Sequence, residues 1–226
     1  MNPSSAATAA VEERAALLLA VRRAGVRDIS VMRAFESVPR EAFAPHKFRD
    51  LANNNMALPI GCGQTMSRPS ELARRIEALR VGPAHRVLEV GAGSGYCAAI
   101  LARLAREVVT LERFATLATE ARLRLEGLAV DNVTVRHGDG LAPDPELGDF
   151  DRILVEAALA ERPVTLARRL APGGALVYVL SEKKAGEKRP RQRLIKLDFS
   201  ETGELRETDL GPQSLGFAAF GVAQAL

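Results

Sequence analysis

Gly91, Gly93 and Gly95 follow the apolar run Val87-Leu88-Glu89-Val90 and precede Tyr96–Leu104, whose apolar residues recur at helical spacing. Glycines let a chain turn tightly out of a strand and approach a ligand closely, with amide N–H groups facing it. Glu112 ends the next strand-like run, where a carboxylate can accept two hydrogen bonds from ribose hydroxyls. Asp139-Gly140 follows the run after that, and Glu89 stands just ahead of the glycines. Each acid alone reads as a surface carboxylate. Three at successive strand ends, in the crevice beyond the carboxyl ends of a sheet, read as a ligand site. A dinucleotide fingerprint needs glycine at its first, third and sixth positions, and here the sixth is Tyr96; the lysine of a P-loop is missing as well.

The elements that must position these residues alternate. Strands are expected at 86–90, 107–111, 133–137, 152–155 and 175–180, with helices at 96–104, 115–128 and near 163–170 between them. That order predicts an α/β, Rossmann-like, mostly parallel and doubly wound sheet with helices on both faces. Two further runs, 193–199 and 216–223, separated by a Thr-Gly-Glu turn, are expected to form an antiparallel C-terminal edge hairpin. An N-terminal helical segment precedes the sheet: 10–25, 28–38 with Asp28 as N-cap and Ile29, Met32 and Phe35 on one face, and about 70–79, while the first ten residues read as a loose tail. The expected organisation is one domain, 1–226: helices and a loop over 1–80, the ligand-binding core over 81–180 and C-terminal strands over 181–226.

A chain of 226 residues, 47% hydrophobic, can bury an α/β core without disulfide or metal staples. Cys62 and Cys97 lie far apart and in no metal-ligand spacing, as free thiols of a reduced, cytoplasmic protein would. His46, His85 and His137 are dispersed, so no metal is expected, and His137 reads as structural or superficial. The apolar run Ala15–Val21 is flanked by charges and too short for a bilayer, which argues against a signal peptide or a membrane partner. A net charge of +3 is too even to indicate nucleic acid. The basic cluster Lys183, Lys184, Lys188, Arg189, Arg191 and Arg193 has few aromatic neighbours for stacking and reads as a solvated loop. A monomer is expected.

The Gly-x-Gly-x-Gly turn with Glu89 ahead of it resembles the first motif of class I S-adenosylmethionine-dependent methyltransferases. Upstream, Ala57-Leu58-Pro59-Ile60-Gly61-Cys62-Gly63-Gln64-Thr65-Met66-Ser67-Arg68-Pro69 closely resembles the signature loop of the protein-L-isoaspartate O-methyltransferase family. Val38-Pro39-Arg40-Glu41-Ala42-Phe43, Asp139-Gly140 and Leu170-Ala171-Pro172-Gly173-Gly174 fit the same family, so the resemblance covers about residues 37–180. It implies methyl transfer from S-adenosylmethionine to the free α-carboxylate of L-isoaspartyl residues in damaged proteins; the ester then closes to a succinimide that partly reopens as aspartate. It implies Ser67 as the essential hydroxyl, cofactor contacts from Gln64, Thr65, Met66 and Ser67, and a cofactor cradle of Gly91, Gly93, Ser94, Gly95, Glu112 and Gly140. Glu89 is expected to face the cofactor's ammonium and Asp139 its adenine. From the residues alone, Ser67 also reads as a helix N-cap, since Pro69 suits a first turn.

The sequence departs from the family at Cys62, often histidine there; at Arg68, usually glutamine or alanine; and at Glu156, usually small or neutral. The tail around Gly211–Leu215 lacks the family's valine-arginine-phenylalanine run. These departures fall on the acceptor side, so Arg68 and Glu156 are substrate-side candidates, expected to face each other across the pocket mouth. Three other readings stay open at this point: a different carboxylate acceptor, small or peptidic; a cofactor-binding protein without turnover; and a nucleic-acid methyltransferase. The last lacks an asparagine-proline-proline-tyrosine-like box, for the fourth strand reads Val155-Glu156-Ala157-Ala158.

Overall fold

The computed structural model describes residues 3–183 and 190–224, with side chains from Val11 onward. The chain opens with Pro3–Arg23 (α1) and Ile29–Ser37 (α2), then Leu58–Pro59 (β1) paired antiparallel with Thr65–Met66 (β2), and Pro69–Leu79 (α3). The core follows as Arg86–Val90 (β3), Tyr96–Ala102 (α4), Glu107–Glu112 (β4), Ala115–Gly127 (α5), Val133–His137 (β5), Phe150–Leu159 (β6), Val164–Ala167 (α6) and Leu170–Glu182 (β7). Arg191–Phe199 (β8) and Leu205–Pro212 (β9) complete it.

The seven-stranded sheet has the order β5-β4-β3-β6-β7-β8-β9, parallel from β5 through β7 and antiparallel at β8 and β9. The chain leaves β3 toward β4 and β5, then returns to β3's other side as β6. The crevice at the carboxyl ends of β3 and β6 is therefore the switch point at which open α/β sheets take ligands. Two apolar clusters cover the two faces: one joins α1–α5 to the sheet around Ile76, Tyr96 and Leu154, the other is built from Leu88, Phe150, Leu176 and Tyr178.

The expected alternation is confirmed, with three differences. Helix α1 begins at Pro3, so the Ser/Ala-rich start is helical rather than a loose tail; alanine is the strongest helix former and no breaker follows. The turn Thr202-Gly203-Glu204 joins the edge hairpin, but its second strand is β9 and not 216–223. Strand β9 is mostly polar because it is the outer edge of the sheet, where charge discourages pairing with other chains. The apolar run 216–223 instead crosses the carboxyl ends of the strands, held by single bridges of Phe217 to Ala158 and Ala223 to Phe114. Within the basic cluster, Lys184, Lys188 and Arg189 lie outside the described residues; Arg193 pairs with Asp209. No described helix is long and apolar enough to cross a membrane.

Asp28 caps α2 as expected, its carboxylate accepting from Ser30 N–H at 2.7 Å and Val31 N–H at 3.2 Å. Phe35 on that helix is buried, Met32 partly so, while Ile29 is exposed in the first turn. Replacing Asp28 with alanine should cost about 1 kcal/mol, read as a lowered denaturation midpoint with an unchanged slope.

Candidate functional site

Strand β3 ends at Val90, and the chain turns at once. Gly91 has φ +97°, a conformation that favours glycine, and its amide donates to the Leu111 carbonyl at 2.8 Å. Two residues on, Gly93 N–H donates to Glu112 Oε2 at 2.9 Å, while Oε1 takes Phe114 N–H at 3.0 Å. Glu112 thus ties the glycine turn to the end of β4 and remains able to accept further hydrogen bonds, since each carboxylate oxygen carries two lone pairs. Gly140, after β5, closes the other wall: a Cβ there would stand 2.5 Å from Val90 Cγ1. Asp139 accepts from Leu141 N–H at 2.9 Å and from Gly221 N–H in the tail at 2.7 Å.

These residues line a cavity of about 960 Å³, counted to its open mouth. Its floor is Val90–Ser94, one side is Glu112–Phe114 with Asp139–Leu141, and the other is Gln64–Ser67 with Glu156 and Ala157. Phe217, Ala218 and Ala219 cross it. Ala218 N–H donates to the Ala158 carbonyl at 2.9 Å, and Ala223 N–H to that of Arg113 at 2.8 Å, anchoring the crossing segment at both ends. A glycine floor, Glu112 for ribose hydroxyls and an apolar strip for a base fit S-adenosylmethionine.

Glu89 and Gly95 do not line the cavity. Gly95 packs against Ala121. Glu89 is fully buried beneath the floor, beside the Cys97 thiol and the Thr110 hydroxyl, neither closing a well-formed hydrogen bond to it. Burial pushes its carboxyl up to about 8, and the charges of Glu156 and Glu112 add to the shift. Burial and Glu89 together hold the Cys97 thiol well above its usual range. Glu89 is therefore a neutral acid under the ligand floor in the free protein at neutral pH, where a carboxylate facing the cofactor's ammonium was expected.

The loop before α3 is held by Arg40. Its buried guanidinium donates from Nη1 to the carbonyls of Ala52 and Asn54 and from Nη2 to those of Met56 at 2.9 Å and Ser67 at 3.0 Å. It lies 5.7 Å from the centroid of the Tyr96 ring, which belongs to the helix after the glycine turn. Burial lowers its pKa to about 10, which leaves it charged. The Val-Pro-Arg segment thus fixes one end of the signature loop. Within the loop, Cys62 takes φ +53° in the turn between β1 and β2, a conformation that costs most side chains free energy.

Ser67 does not cap α3. Arg68 is the N-cap residue and makes no side-chain cap bond. The Ser67 hydroxyl donates instead to Glu156 Oε2 at 3.1 Å, across the cavity wall. The expected Arg68–Glu156 pair does not form. Arg68 is half-exposed and meets Glu71 at 3.7 Å, its neighbour one turn along the helix. Glu156 is gripped by Arg75, Nε to Oε1 at 2.7 Å and Nη2 to Oε2 at 2.7 Å, with both side chains nearly or wholly buried.

Arg75 is the residue that sequence reasoning missed, and Arg40, quoted there within the Val-Pro-Arg segment, was given no role of its own. The signal for Arg75 was present: it shares the buried face of α3 with Leu72, Ile76 and Leu79, and a cation there requires a buried anion. Glu156 reaches it because β6 bulges: the three residues between Leu154 and Ala158 oppose one, Tyr178, between Val177 and Val179. Bulges re-aim side chains beside sites in this way. Among the described residues, no three of His, Cys, Asp and Glu gather as metal ligands.

Fold and cavity together define a Rossmann-like protein with a nucleoside-cofactor site. The family model described as protein-L-isoaspartate(D-aspartate) O-methyltransferase matches residues 12–209, and the chain belongs to that family. It is 47% identical over 195 residues to the protein-L-isoaspartate O-methyltransferase 2 of Rhodopseudomonas palustris (strain HaA2), covering 86% of this chain and 88% of the relative. It is 42% identical over 207 residues to the protein-L-isoaspartate O-methyltransferase of Parvibaculum lavamentivorans, covering 92% of each. A solved protein-L-isoaspartate O-methyltransferase superposes with TM-score 0.77 at 26% identity, over 92% of this chain and 67% of that one. A Plasmodium falciparum structure, a putative protein-L-isoaspartate O-methyltransferase in complex with S-adenosyl-L-homocysteine, shares the fold with TM-score 0.73 at 23% identity, over 92% and 97%.

Arg40→Leu strips four carbonyls of their donor; we expect a loss of about 3 kcal/mol in denaturant unfolding, with Arg40→Lys only partly restoring it. Glu89 gives a pH test. Its folded value, about 8, lies above the ordinary 4.5, so folding favours the protonated form. The contribution of Glu89 to stability should be full below the ordinary value and fall as pH rises toward 8. In Glu89→Gln this part of the fall should vanish, as measured by melting temperature across that window.

Proposed function

We propose that this chain transfers the methyl group of S-adenosylmethionine to the α-carboxylate of L-isoaspartyl residues in damaged proteins. Family membership supports the reaction, and one observation ties it to these residues: within the cavity, the Ser67 hydroxyl already donates to a carboxylate, that of Glu156. When bound, the cofactor supplies a methyl group on a sulfonium: the carboxylate oxygen forms the new bond to carbon as the carbon–sulfur bond breaks and its electron pair returns to sulfur.

The acceptor needs no general base, because a carboxyl with an unperturbed pKa of about 4 is ionised at neutral pH. The work left to the protein is alignment and exclusion of water, for which held geometry can supply roughly 7–11 kcal/mol. Ser67 is the catalytic hydroxyl in this reading, holding one oxygen of the acceptor while the other attacks. Gln64, Thr65, Met66, Gly91, Gly93, Ser94, Glu112, Asp139 and Gly140 hold the cofactor, with Glu89 and Gly95 supporting the floor. Residues 1–80 carry the acceptor loop, 81–180 the cofactor core and 181–226 the closing strands of a single domain. We place it in the cytoplasm as a monomer, with no nucleic-acid partner.

The test is label transfer from S-adenosylmethionine to matched isoaspartyl and aspartyl peptides. We expect base-labile label on the isoaspartyl peptide only, reduced about 100-fold or more in Ser67→Ala, the scale for loss of one placed donor. Equal labelling of both peptides, or transfer that Ser67→Ala leaves intact, would contradict the reading.

A further inference from the structure

The acceptor half of the cavity holds a charge that methyl transfer to an anion does not call for. Glu156 lines it beside Ser67, and an unpaired carboxylate there would repel an incoming carboxylate. Arg75 removes that obstacle: it is fully buried, and its two hydrogen bonds engage both oxygens of Glu156 without help from the serine. The Ser67 hydroxyl has a single proton, and Glu156 holds it.

We propose that Glu156, clamped and neutralised by Arg75, is the positioning residue of Ser67: it holds the hydroxyl proton in the free enzyme and yields it to the acceptor's carboxylate. This deepens the reading above and rests on its premise that the acceptor is a carboxylate. The exchange costs little, because Ser67 trades one carboxylate for another while Glu156 keeps both N–H donors of Arg75. A neutral but polar pair also suits a reaction in which a cation and an anion cancel. A bare carboxylate here would favour the sulfonium cofactor over its neutral thioether product, and a bare guanidinium would do the reverse.

The experiment compares Arg75→Met, Glu156→Gln and the double variant by calorimetric Kd for S-adenosylmethionine and S-adenosylhomocysteine, and by KM and kcat on an isoaspartyl peptide. Arg75→Met should raise the peptide KM roughly tenfold and shift cofactor preference toward S-adenosylmethionine by a similar factor. Glu156→Gln, which keeps the shape of the side chain, should shift that preference the other way. The double variant should restore both quantities to within about threefold of the parent. In a Ser67→Ala background, Glu156→Gln should lower kcat no further.

Equal Kd ratios in all variants would reduce the pair to packing and overturn the proposal. So would kcat losses that multiply between Ser67→Ala and Glu156→Gln. The Kd ratios need no acceptor, so failure to methylate the peptide would sink the assigned acceptor while the charge balance was still being read.

Discussion

The buried contact of Arg75 with Glu156 is the point at which the two halves of the site become one. Arg75 comes from α3, on the segment that carries the acceptor loop; Glu156 comes from β6, at the centre of the cofactor sheet. Removing one partner of such a pair leaves an uncompensated buried charge, at about 3–5 kcal/mol. The pair therefore fixes how α3, and with it Ser67, sits against the glycine turn. Arg40 does the complementary task from the other side, holding the loop's carbonyls and resting on Tyr96. Between these two arginines, Ser67 has little freedom to leave the cavity wall.

The cofactor side is governed by a different constraint: backbone must approach backbone. Gly91 takes a left-handed φ above Glu156, and Gly140 lies where a Cβ would strike Val90. The acids then divide according to burial. Glu112 faces the cavity with both oxygens anchored, Asp139 ties down the crossing tail, and Glu89 is sealed below the floor and held neutral. Equivalent positions at successive strand ends thus acquire different chemistry from their surroundings alone.

Much of this was legible in the residues. The strand–helix rhythm, the glycine turn, Asp28 as a cap and the wall formed by Gln64–Ser67 follow from periodicity, spacing and the loop's resemblance to its family. What was not legible depends on tertiary context. Arg68 at the N-cap of α3 and Arg75 on its buried face are both cations near Glu156, and only the packing of that face on β6 decides which meets it. The bulge in β6 that brings Glu156 there leaves no mark in its own apolar run. The tail at 216–223 is an apolar, strand-like run, but Phe217, Ala218 and Ala219 line the cavity instead, while the polar β9 takes the sheet's outer edge.

A structure of the enzyme with S-adenosylhomocysteine and an isoaspartyl peptide tests the account most directly. It should show the peptide's α-carboxylate within hydrogen-bond distance of Ser67 Oγ, Glu156 still gripped by Arg75, and the serine turned away from it. A peptide carboxylate bound away from Ser67, or a serine still donating to Glu156 with the peptide in place, would contradict it.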